Sequence, residues 1–239
     1  TTAPAEAEPV DIEEFCSTVI AADAIASAGP QVDFATATND EIGAAMEVFG
    51  EALIPLLDQL SVASPAEVAD AVATIDSAVR ESFETGDDPF ADPVVLQADH
   101  TIDRYMAENC GYEMIMVDAV DYAFEGVPGE LPTGTVGFEF DNQGTEVHEM
   151  IVMRINDDVD ATVEELLQLP EEEAMSMTQY VGAAFAPPGK SDITFIDLVP
   201  GRYVMLCFIP VGTVNIGDGP PPEGPPHVMH GMVHAFTVA

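Results

Sequence analysis

The stretch Val199-Pro-Gly-Arg-Tyr-Val-Met-Leu-Cys207 decides the fold of the C-terminal half of this chain. A Pro-Gly turn leads into a short run of aromatic, β-branched and apolar residues, which is typical of a β-strand. Further short runs of this kind, separated by Gly and Pro, occupy 114–124, 134–140, 148–155, 193–198, 202–209 and 232–238. Regularly spaced short strands predict an antiparallel β-sandwich or barrel. One helix, beginning at Asp160 or Thr162, is expected to interrupt it.

The first half of the chain has the periodicity of helices instead. Apolar residues recur at helical spacing over 11–28, 40–61 and 91–109. Ser64-Pro65-Ala66-Glu67 has the pattern of a capping box with Pro at the first helical position, which predicts the start of a third helix. Four short helices with brief connections predict an antiparallel four-helix bundle. The expected organisation is an α+β multidomain protein with a disordered leader at 1–10, a helical bundle at 11–111 and a β-sandwich at 112–239.

Four potential metal ligands lie in the second half, in the order His148, Cys207, His227 and Met232. His148 follows the turn Asn142-Gln-Gly-Thr-Glu-Val, Cys207 ends a strand, and the last two precede the final strand. Two imidazoles, one thiolate and a weak axial thioether are the donor set of a mononuclear copper site for electron transfer. His230 is the rival for the role of His227.

These residues resemble the cupredoxin family, which includes plastocyanin and azurin, over roughly residues 112–239. In that family an early His follows a glycine-containing turn, and a Cys, a His and a Met cluster before the last strand of a Greek-key sandwich. One departure is the length of the segment between Cys207 and His227, which is nineteen residues here and a few in the family. The chain is also similar to bacterial secreted proteins that pair a helical segment with a cupredoxin domain.

The resemblance implies a secreted copper-binding protein that carries single electrons, or copper itself, at one site of His148, Cys207, His227 and Met232. Taken singly, each residue also has an ordinary interpretation, such as a buried core cysteine or a loop histidine. The alternative is therefore a metal-free cupredoxin fold that serves as a structural or interaction module at the cell surface. No hydrolase, phosphate-binding or zinc-protease motif occurs in the sequence, so we expect no enzyme.

The three cysteines divide into a pair and a single residue. Cys16 lies near the start of the first predicted helix and Cys110 just past the end of the fourth. In an up-down bundle those two ends lie on the same side, which predicts a Cys16–Cys110 disulfide and leaves Cys207 unpaired. The alternative is two unrelated buried thiols. A disulfide is typical of an extracytoplasmic protein, and the polar start at Thr1 is typical of a chain from which a signal peptide was removed.

The charge is extreme, with 44 Asp plus Glu against 5 Lys plus Arg and a formal net charge of −39. Five cations cannot form a basic patch, which excludes nucleic acid as a partner. No apolar stretch is long enough for membrane insertion. The acidic residues are dispersed, which favours a halophilic type of surface whose stability depends on salt. The other interpretation is the attraction of a cationic redox partner protein.

Overall fold

The computed structural model describes residues 10–215 and 222–239. The chain divides between Gly111 and Tyr112 into two compact units, a helical unit and a β unit. The predicted leader lies outside the described residues except for Val10, which is exposed. Within the described parts of the chain, no helix is sufficiently long and apolar to cross a membrane.

The helical unit contains four long helices, α1 (Ile12–Ala28), α2 (Asn39–Ala63), α3 (Ala69–Thr85) and α4 (Pro93–Asn109). Side-chain caps begin three of them, because Asp11, Thr38 and Asp92 each accept a hydrogen bond from a backbone N–H of the first turn. Consecutive helices pack against one another, α1 on α2, α2 on α3 and α3 on α4.

A disulfide links the start of α1 to the end of α4. Cys16 and Cys110 form this bond with their Cα atoms 5.9 Å apart, as the helix ends predict. The ring of Phe15 also meets Tyr105 edge to face, with the centroids 5.8 Å apart. The disulfide and this aromatic pair therefore hold the first and last helices of the unit together.

The predicted capping box at Ser64 is wrong. Ser64 ends α2, and its extended backbone is the conformation that a following proline favours. Residues 65–68 form a turn closed by the Val68 N–H donating to the Pro65 carbonyl at 3.0 Å. Helix α3 begins only at Ala69, after the buried Val68, and it has no side-chain cap because the valine side chain has no oxygen to accept a hydrogen bond.

The β unit consists of two sheets. Their nine strands are β1 (Glu113–Val120), β2 (Ala123–Glu125), β3 (Glu130–Leu131), β4 (Gly134–Asn142), β5 (His148–Ile155), β6 (Thr178–Ala186), β7 (Ser191–Leu198), β8 (Gly201–Leu206) and β9 (Val233–Val238). The strand order is β2-β1-β4-β7 in one sheet and β3-β9-β8-β5-β6 in the other. One core cluster joins side chains of both sheets, among them Phe138 and Ile196 from the first and Met150 and Phe236 from the second. The unit is therefore a β-sandwich.

The sheets are mixed, so the prediction of a purely antiparallel sandwich is wrong. Strands β1 and β4 pair in parallel, and so do β3 and β9. Between β1 and β4 the chain forms β2 and then crosses to the second sheet as β3, so it returns in the direction in which it left. Alternation of apolar residues fixes the faces of a strand and not its direction, and the sequence pattern could not reveal this.

Three other features of the secondary structure also differ from the predictions. The run 114–124 is broken at Asp121 and Tyr122 by a turn, in which Tyr122 has a positive φ of 69°. Strand β6 was not predicted, because its Gly and Ala residues have low strand propensity. The helix expected after Thr162 is the single turn α5 (Val163–Leu166), followed by α6 (Glu171–Ser176).

Candidate metal centre

The predicted ligands lie at one end of three neighbouring strands. His148 is the first residue of β5, Cys207 directly follows β8, and Met232 directly precedes β9. Strand β8 is antiparallel to both β5 and β9, so the start of β5, the end of β8 and the start of β9 lie together. His227 joins them as the first residue of a 3-10 turn that ends at His230.

Three donor atoms converge at this end of the sandwich. The Nδ1 atoms of His148 and His227 are 3.0 Å apart, and the Cys207 Sγ is 3.3 Å from the His227 Nδ1. One ligand atom from each of the three residues lies within 4.8 Å of the others, and all three residues are fully buried. The group has the size and the donor types of a site for one metal ion.

The long segment between Cys207 and His227 folds back on itself, so the two ligands meet. The His227 N–H donates to the Ile209 carbonyl at 2.9 Å, and the Val211 N–H donates to the Pro225 carbonyl at 3.0 Å. Where the segment begins and ends, the Val228 N–H donates to the Cys207 carbonyl at 2.8 Å. The segment is therefore closed by a short antiparallel stem. Residues 215–226, whose many Gly and Pro residues predict an exposed loop, lie partly outside the described residues, which stop at 215 and resume at 222.

A carboxylate faces the outer nitrogen of each histidine. The His148 Nε2 lies 3.4 Å from the Asp121 Oδ1, and the His227 Nε2 lies 3.0 Å from the Glu146 Oε2. Burial acts to raise the pKa of each carboxyl, but hydrogen bonds from backbone and side-chain donors outweigh it and the pKa of each is lowered. Both groups are ionised at neutral pH and can only accept hydrogen bonds.

These carboxylates determine which histidine nitrogen carries the proton. Because each Nε2 faces an acceptor, each neutral ring carries its proton there and presents a bare lone pair at Nδ1. Burial, and after it the neighbouring His227, lowers the pKa of His148, which favours the neutral ring. In this tautomer two lone pairs lie 3.0 Å apart and repel each other unless a proton or a metal ion lies beside them. The donor set therefore fits a bound metal ion.

Cys207 supplies the sulfur. Burial, and after it the negative charges of Glu149 and Glu146, raise the pKa of its thiol to about 11, while backbone N–H groups of Glu149 and Ile209 oppose the shift. The Glu149 N–H lies 3.5 Å from Sγ. Without a cation the thiol keeps its proton at neutral pH, and a metal ion must displace that proton to bind.

Met232 is fully buried beside these residues. Its carbonyl accepts from the Cys207 N–H at 3.3 Å, and its N–H donates to the His227 carbonyl at 3.2 Å. The rival ligand His230 is exposed, and its ring packs against Tyr122 with the centroids 5.1 Å apart. The structure thus brings together His148, Cys207 and His227, with the backbone of Met232 bound to two of them.

Sequence reasoning did not identify Asp121, Glu146 or Tyr122 as parts of this centre. Glu146 lies two residues before His148, but a carboxylate carries little information in a chain with 44 of them. Asp121 and Tyr122 were predicted to continue a strand, and the turn that brings them to the histidines has no Gly, Pro or Asn to mark it.

No protein-family model matches this chain, and no curated protein matches it.

Several solved structures match the C-terminal half. The dithionite-reduced auracyanin of Roseiflexus castenholzii is 24% identical, covers 54% of this chain and 99% of its own, and has a TM-score of 0.34. Auracyanin A of Chloroflexus aurantiacus, a blue copper protein, is 16% identical with a TM-score of 0.31, over 54% of this chain and 100% of its own. Rusticyanin from Thiobacillus ferrooxidans is 16% identical with a TM-score of 0.30, and the match covers 54% of this chain and 79% of the rusticyanin chain. The C-terminal half is thus similar to auracyanins and rusticyanin.

Proposed function

We propose that the β unit binds one copper ion at His148, Cys207 and His227, with Met232 as the weak axial ligand, and transfers single electrons. The observation that carries this proposal is the convergence of one thiol sulfur and two Nδ1 lone pairs in a fully buried cluster. Soft sulfur with two imidazoles is the ligand set that suits both copper oxidation states.

The residues of the chain would act as a rigid and dry set of donors. The two histidines offer Nδ1 lone pairs and Cys207 offers a thiolate, while their burial excludes water. Copper supplies a one-electron change between Cu(I) and Cu(II). Because the ends of three paired strands and a 3-10 turn fix the ligands, the protein should rearrange little when the charge changes, which favours fast electron transfer.

The proposal also covers the location of the protein, the arrangement of its helices and strands, its partner and its lack of enzymatic activity. We include an extracytoplasmic location, supported by the Cys16–Cys110 disulfide, since such bonds persist in oxidising compartments. An antiparallel bundle of α1–α4 is part of it, supported by the packing of consecutive helices and by the disulfide. A Greek-key sandwich is also part of it, supported by the repeated crossing of the chain between the two sheets. A cationic redox partner is supported by the net charge of −39. The absence of enzymatic activity is likewise a proposal.

The test is titration of the metal-free protein with Cu(II), followed by visible absorption. We expect one copper ion per chain and an intense band from thiolate-to-copper charge transfer, which disappears in Cys207→Ser. The matched control is His230→Ala, which removes an exposed histidine of the same 3-10 turn and should leave the band intact. A folded wild-type protein that binds no copper would refute the proposal and favour the metal-free interaction module.

A further inference from the structure

Glu146 connects three separate segments at the candidate site. Its Oε2 accepts from the Gly212 N–H at 2.5 Å and faces the His227 Nε2 at 3.0 Å, and its Oε1 lies 3.1 Å from the Tyr122 hydroxyl. Gly212 belongs to the segment 208–226 between Cys207 and His227, which we call the ligand loop. One largely buried carboxylate, with a side chain 14% exposed, therefore fixes both the ligand loop and the ring of a ligand.

Asp121 contacts the other histidine ligand, His148, in a similar way. It accepts from the Thr145 N–H at 2.8 Å and the Thr145 hydroxyl at 2.9 Å, and it faces the His148 Nε2 at 3.4 Å. Gly144 lies against this contact, where an added Cβ would come within 2.5 Å of the Asp121 Oδ1 and 2.6 Å of the His148 Nε2. The turn leaves no room for a side chain between the carboxylate and the ring.

We infer that Glu146 is a positioning residue that joins Gly212 of the ligand loop to the ring of His227 and orients that ring, and that Glu146 and Asp121 together make the centre favour Cu(II) over Cu(I). The redox part of this inference rests on the proposed copper function. A negative charge on the outer nitrogen of a ligand stabilises the more positive oxidation state, and the effect is stronger for Glu146, whose side chain is 14% exposed, than for Asp121, whose side chain is 39% exposed. Such carboxylates also raise the basicity of the histidine and fix its ring orientation.

Glu149 provides a matched control for Glu146. Its carboxylate also holds the ligand loop, accepting from the Phe208 N–H at 2.8 Å, and it also lies close to the cluster. It makes no hydrogen bond to a histidine ring in the structure, so Glu149→Gln removes one nearby charge and leaves the contacts of both histidine rings in place, while its amide oxygen can still accept from the Phe208 N–H. Glu146→Gln also removes one charge, and it replaces the charged acceptor at the His227 Nε2 by a neutral amide oxygen, which binds that proton more weakly.

The first experiment measures Cu(II) and Cu(I) affinities and the reduction potential of the copper-loaded proteins. Loss of a partner of this kind typically lowers metal affinity about 10- to 100-fold. We expect Glu146→Gln to lower the Cu(II) affinity by about that factor and the Cu(I) affinity by less. A tenfold fall in their ratio raises the potential by about 59 mV. Equal shifts in Glu149→Gln, or none in Glu146→Gln, would overturn the inference.

A second experiment needs no copper. In the metal-free wild type we expect NMR to show a proton on the His227 Nε2 that exchanges slowly with solvent, because Glu146 accepts it. Exchange should be faster in Glu146→Gln and unchanged in Glu149→Gln. If Glu146→Gln does not fold, Glu146→Asp retains the charge but shortens the reach, and should also accelerate exchange. A His227 Nε2 without a proton in the wild type would overturn the positioning role.

The two experiments separate the two proposals. If the wild type binds no copper, the proposed function and the redox part of the inference fail together, and the ring-proton measurement alone decides whether Glu146 positions His227. If copper binds with its charge-transfer band but both variants behave like the wild type, the proposed function stands and the inference fails.

Discussion

At the scale of the residue, the thiol of Cys207 determines how copper binding should depend on pH. Its pKa is raised to about 11, chiefly by burial, whereas burial lowers the pKa of His148 and keeps that ring neutral. Above the range in which imidazole protonates and below about 11, the thiol therefore carries the one proton that copper must displace. The apparent Cu(II) affinity should rise about tenfold per pH unit there. Calorimetry in buffers of different ionisation enthalpy should find one proton released per copper ion; no release would contradict the raised thiol pKa.

The residues of the centre also show what sequence could and could not reveal. Cys and His are scarce in this chain, with three and five copies, so their order indicated the donor set without any coordinates. The carboxylates facing the two histidines were invisible, because 44 acidic residues make no single one distinctive. A scarce residue type carries information in its position along the chain, whereas an abundant type acquires meaning only from its contacts.

At the scale of the element, the disulfide is the main cross-link of the helical unit. It joins the start of α1 to the residue after α4 across 94 positions, and a loop of that length corresponds to about 4–5 kcal/mol of chain entropy. We expect Cys16→Ser with Cys110→Ser to lower the unfolding free energy of the helical unit by up to about that amount, as measured by urea denaturation. Ser17→Ala, at an exposed neighbouring position, is the control. An unchanged midpoint in the double variant would show that helix packing alone defines the unit.

Helices and strands were predictable where interactions between residues close in sequence determine them. Long helices with side-chain caps were found within a few residues of their predicted bounds, since periodicity and capping are local properties. Residues 215–226 of the ligand loop were predicted only as an exposed loop, because the stem that closes the ligand loop depends on hydrogen bonds between residues such as Val211 and Pro225, fourteen positions apart. Parallel pairing of β1 with β4 was missed for the same reason, as it follows from the path of the chain between the sheets.

At the scale of the whole molecule, five cations cannot balance the acidic surface, and two of them form local ion pairs. Arg80 pairs with Asp58 and Asp76, and Arg154 pairs with Asp157. Some carboxylates are held by local donors. Hydrogen bonds from Thr38 lower the pKa of Glu41, and those from Thr162 lower the pKa of Glu165. Such groups remain charged in mild acid, so repulsion among the carboxylates persists over a wide pH range.

Added salt should therefore stabilise the protein. A net charge of −39 with only five cations makes the compact state self-repelling, and the unfolded chain places the same charges further apart. The Debye length falls from about 30 Å at 0.01 M to about 10 Å at 0.1 M and about 3 Å at 1 M, so screening acts mostly at low concentration. We expect the thermal midpoint to rise steeply up to about 0.1 M sodium chloride and slowly beyond it. Potassium chloride at equal ionic strength should give the same initial rise, because screening does not depend on which monovalent cation supplies it. A midpoint constant from low millimolar to molar salt would show that the dispersed charges are too far apart to repel one another appreciably.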